Sequence, residues 1–152
     1  MTREQLILLK EELSTDPEAL GYSGKTATEI IVLLTTKNIA ARRDVKWSTV
    51  FKYAMTEGFW AGIVIASKNP DHPAYAAALA AVEMKDIFRD DVINTGLPIF
   101  LQLSGGLVSA GLMTLDQKDA LVTMGDIIVS RADQLKFGTI YEGNIEEALN
   151  YA

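Results

Sequence analysis

The residues that come closest to chemistry are Ala19-Leu20-Gly21-Tyr22-Ser23-Gly24-Lys25-Thr26, which satisfy the relaxed spacing of a phosphate-binding loop with alanine at the first glycine position. In such a loop backbone N–H groups cradle phosphates, the lysine reaches the terminal phosphates and the hydroxyl binds magnesium. A buried apolar strand must precede it. Here Ser14-Thr15-Asp16-Pro17-Glu18 precedes it, and Pro17 cannot donate to a ladder. The segment reads as a glycine-bearing turn before an N-capped helix, not as a nucleotide site. His72, the single histidine, stands among Pro70, Asp71 and Pro73 with no partner at metal or triad spacing, and reads as a solvent-facing turn residue. Asp86, Asp90 and Asp91, with Glu83 one turn earlier, place carboxylates densely enough for a divalent cation or acid–base work. Lys85 and Arg89 are interleaved with them, so a solvated, ion-paired helix face is the better reading. Asp116 and Asp126 fit no calcium-loop spacing. No catalytic, cofactor-binding or metal-ligating residue is assigned, and the chain is expected not to be an enzyme.

The elements that would position any site are helices. Thr2 with Gln5, Thr26 with Glu29, Thr114 with Gln117 and Ser130 with Asp133 have capping-box spacing, and Asn144 with Glu147 suggests a last start. Leu6, Leu9 and Leu13 form one face of the first helix, Met1 to Leu13 being too charged for a leader segment. Asp16-Pro17 begins a turn that Gly21 can end in the left-handed region. The second helix is expected to reach about Asn38, and Arg42 to Lys46 is expected to be a connection. Ser48 opens a third helix ending near Gly58, and Phe59 to Ala66 is ambiguous between a strand and a buried helix. After the breaker Asn69-Pro70-Asp71-His72-Pro73, Ala74 to Asp90 is strongly helical, and Thr139-Ile140-Tyr141 offers a short extended piece. The fold class is mainly α: a compact multi-helix domain of seven or eight short helices over residues 1–152, with at most a minor β element.

A hydrophobic fraction of 49% and a charged fraction of 22% over 152 residues suit one globular domain with a real core. There is no cysteine, hence no disulfide framework or thiolate. Net charge is −6: residues 1–91 hold 11 basic and 13 acidic side chains, residues 92–152 hold 3 and 7, so the second stretch carries −4 of it. An acidic surface repels phosphate backbones, and Arg42-Arg43 is the one adjacent basic pair, so nucleic acid is not expected as the partner.

Val92 to Leu115 is the longest uncharged run, 24 residues, enough to span a bilayer if helical. Gly96-Leu97-Pro98 breaks it early, Gly105-Gly106 and Gly111 weaken its middle, and no Lys or Arg flanks it closely. It reads as a buried helical hairpin at a subunit interface rather than a membrane span, with Gly106 and Ala110 permitting close helix contact. Aromatic residues cluster at Trp47, Phe51, Tyr53, Phe59 and Trp60 with little basic interleaving, which favours core packing or a protein–protein hot spot over base stacking. The expected contact residues are Trp47, Phe59, Trp60, Leu97, Ile99, Phe100, Leu101, Leu107 and Leu112.

Two stretches carry a further pattern. Leu9, Lys10, Glu12, Leu13, Thr15, Asp16, Pro17, Gly21 and Tyr22, with Leu34 and Asn38, stand near one end. Ser130, Arg131, Ala132, Leu135, Gly138 and the segment from Ile145 to Tyr151 stand near the other. Together they resemble a group of small proteins encoded by tailed bacteriophages that share Leu-Lys-x-Glu-Leu, Thr-Asp-Pro, Gly-Tyr and Ser-Arg-Ala segments. The middle, Arg42 to Thr114, is richer in aromatic and uncharged residues and reads as an insertion or a divergent core. The resemblance implies a non-enzymatic accessory subunit of the virion, made in the host cytoplasm, placed at neck, tail or capsid, and forming a homo-oligomer in contact with other virion proteins. One alternative is an intracellular phage protein that binds and inhibits a host or defence protein, its acidic C-terminal part mimicking nucleic acid. Another is a membrane-acting protein working through residues 92–115.

Overall fold

A computed structural model describes residues 1–87 and 91–151. In chain order the elements are α1 (Arg3–Thr15), α2 (Ala27–Thr35), β1 (Ile39–Arg42), β2 (Val45–Lys46), α3 (Trp47–Thr56), α4 (Phe59–Ala66), α5 (Tyr75–Ile87), β3 (Val92–Ile93), α6 (Pro98–Ser109), α7 (Leu115–Thr123), β4 (Asp126–Val129), α8 (Arg131–Gln134) and α9 (Glu142–Asn150). The class is mainly α with a minor β element, and the described residues form nine helices where seven or eight were expected. Two compact units account for them: Met1–Ala41 with Ile128–Ala152, and Arg42–Ile127. The second unit is thus inserted in the sequence of the first, with the boundaries falling inside β1 and β4, which pair as a two-stranded sheet.

The first unit is made of α1, α2, α8 and α9. Three of its helices begin with the expected reciprocal caps: the Thr2 hydroxyl accepts from Gln5 N at 3.2 Å while Gln5 Oε1 accepts from Thr2 N at 3.0 Å, and Thr26 with Glu29 and Ser130 with Asp133 repeat the pattern. Leu9, Leu34, Ile145 and Ala148 are fully buried between these helices, with Leu6, Ile30, Phe137 and Ile140 around them. Asp16 leaves α1 in the left-handed region at φ 43°, and its carboxylate accepts from Leu20 N and Gly21 N, each at 2.7 Å. The Thr-Asp-Pro and Gly-Tyr segments are therefore two sides of one closed turn.

The second unit packs α3 to α7 around Ala54, Ile63, Ala66, Ala78, Ala81, Phe100 and Leu107. Alanines on α5 and glycines on α6 let those helices approach closely. A Cβ built on Gly106 would lie 3.3 Å from the Ala77 Cβ. Pro98 opens α6 at its first turn, Gly111 turns the chain at φ +73°, and the Thr114 cap starts α7. The run from Val92 to Leu115 is thus a short strand, a 12-residue helix and a turn, and no described helix is long and apolar enough to cross a membrane.

Several local expectations change. Arg42 to Lys46 is not a plain connection: it ends β1 and contains β2, which pairs antiparallel with β3 through Val45 with Ile93 and Lys46 with Val92. That pairing carries the chain straight into α3 at Trp47 rather than Ser48, the Trp47 N–H being taken by the Asp91 carbonyl at 2.9 Å in place of a side-chain cap. The second helix stops at Thr35, short of Asn38, and Phe59 to Ala66 is helical. The last helix starts at Glu142, because the Asn144 side chain caps backward onto Tyr141 N at 3.0 Å. Thr139 to Tyr141 forms no strand. Of the expected helix from Ala74 to Asp90, residues 75–87 are α5, and 88–90 lie outside the described residues.

Candidate functional site

The expected contact residues fall into three groups, all within the second unit. Trp47, Phe59, Phe100 and Leu107 are buried. Trp60 and Leu112 are half-buried and packed against the same core. Leu97, Ile99 and Leu101 face solvent at 46%, 63% and 36% exposure, Leu97 as the residue that caps α6 and the other two in its first turn. The buried group, with Trp60, lines an apolar cavity of about 40 Å³ to which Val50, Ile63 and Leu121 also contribute. Phe51 and Trp60 meet edge to face at 5.0 Å, and Tyr53 and Phe59 at 6.2 Å, the arrangement that ring quadrupoles prefer. Lys85 Nζ lies 5.7 Å from the Phe51 ring centre.

In the first unit the structure assembles a group that sequence reasoning did not. Glu12 on α1, 4% exposed, receives Arg131 in a two-pronged contact, Nε to Oε1 at 2.9 Å and Nη2 to Oε2 at 2.7 Å. Tyr22, itself buried, donates its hydroxyl to Glu12 Oε1 at 3.0 Å. Arg131 Nη1 completes its set with Gln134 Oε1 at 2.9 Å and the exposed Glu18 at 3.4 Å. Burial first, and the Glu12 carboxylate second, push the Tyr22 phenol well above its ordinary value. The hydrogen-bonded Glu12 carboxylate holds Arg131 protonated beyond its usual range. These are three residues of the phage-like segments, and the only sequence signal for their meeting was their membership of that pattern.

The other residues weighed for chemistry have local partners. Lys25 pairs with Glu29 at 3.6 Å one turn along α2, while the Thr26 hydroxyl accepts from Glu29 N at 3.3 Å. The Thr26 backbone N–H donated to Glu29 Oε2 at 2.8 Å is the main reason that carboxyl is held below its ordinary range. Both phosphate-loop side chains thus serve a helix start. His72 is half-buried rather than solvent-facing, and its Nδ1 accepts from Ala74 N at 3.0 Å, closing the turn before α5. Asp86 pairs with Lys85 at 3.4 Å, while Arg89 and Asp90 lie outside the described residues. No three acidic or histidine side chains are grouped to hold a metal ion among the described residues.

Arg42, expected as part of a basic footprint, is tied down within the second unit. It contacts Asp126 at 2.9 Å, Thr95 Oγ1 at 3.1 Å and the Val122 carbonyl. Thr95, fully buried, donates its own hydroxyl to the Val122 carbonyl at 2.9 Å. A Cβ on Gly96 would lie 2.7 Å from Arg42 Nε, and one on Gly125 2.8 Å from the Arg43 carbonyl oxygen. Both glycines therefore serve as notches for this arginine-bearing segment. No family model matches the chain, and no curated protein or solved structure matches it either.

Proposed function

We propose that this chain is a non-enzymatic accessory subunit of a tailed-phage virion, placed at neck, tail or capsid, made in the host cytoplasm and working through contacts with other virion proteins and with copies of itself. The observation that carries the reading is the meeting of Glu12, Tyr22 and Arg131. Three residues of the phage-like segments share one buried polar group, so the two stretches that resemble phage proteins form a single folded unit. The inserted second unit adds contact surface, with Leu97, Ile99 and Leu101 exposed at the start of α6.

Peptide mass spectrometry on purified particles, with copy number counted against the major capsid protein, tests the proposal. A fixed stoichiometric count is expected, on the order of a dozen for a ring and far more for a capsid-wide layer. Absence from particles, with the protein abundant in infected cells, would overturn it in favour of an intracellular protein that binds a host component.

A further inference from the structure

We draw no further inference here: the strongest candidate, the open groove between α5 and α6 that Ala76, Ala77, Ala80, Ile99, Leu103 and Gly106 line, is an apolar face of mostly small residues, and nothing in the structure shows what covers it.

Discussion

Arg131 meets Glu12 in the geometry where charge and hydrogen bonding reinforce each other, with Tyr22 using a further lone pair of the same carboxylate. A carboxylate this deeply buried is tolerable only while its partners stay in place. Removing the arginine alone leaves an uncompensated charge, a change that costs about 3–5 kcal/mol in comparable buried pairs. Arg131→Met is therefore expected to lower the unfolding free energy at neutral pH by about that amount, measured by urea denaturation. The triple change Glu12→Leu, Tyr22→Phe and Arg131→Met removes charge and hydroxyl together and should recover most of the loss. A triple variant as unstable as the single one would show that packing, not the stranded charge, sets the cost. All three residues lie in the two stretches on which the proposed resemblance to phage proteins rests. What they do there was not legible, because 119 residues separate Glu12 from Arg131 and no local rule pairs positions so far apart.

At the scale of elements, what could be read was what is local. The four threonine and serine caps form as their spacing implies, since a capping box is a contact between residues three apart. Strands β2 and β3 hold two residues each, too few for alternation to register, and their partners are chosen by the fold. The same holds for α4, apolar almost all round and without a polar face to mark its period. The packing of α5 on α6 turns on Gly106. A larger side chain there meets Ala77, so Gly106→Val is expected to cost about 1–3 kcal/mol. Gly143 in α9 has open space around its Cβ position, and Gly143→Ala should gain up to about 1 kcal/mol from helix propensity. Thermal or urea midpoints of the two variants check both signs. Equal effects would mean that the α5–α6 contact yields freely.

On the scale of the whole molecule, the described residues form two hydrophobic cores, each confined to one unit. Local stability can then differ between them. In Arg131→Met, hydrogen exchange should quicken at Leu9, Leu34 and Ile145, while Ile63, Ala78 and Leu107 keep their protection. Uniform loss across both sets would instead mark a single cooperative structure.

The nested order of the units also has a consequence in time. The second unit runs without interruption from Arg42 to Ile127, so the ribosome delivers it in one stretch. Glu12 is made early, yet its counter-charge follows 119 residues later, roughly 6–24 s at synthesis rates of about 5–20 residues per second. For that interval the core that Leu6, Leu9 and Leu13 share with Tyr22, Ile30 and Leu34 lacks Ala132, Phe137, Ile140, Ile145 and Ala148, its last-made members.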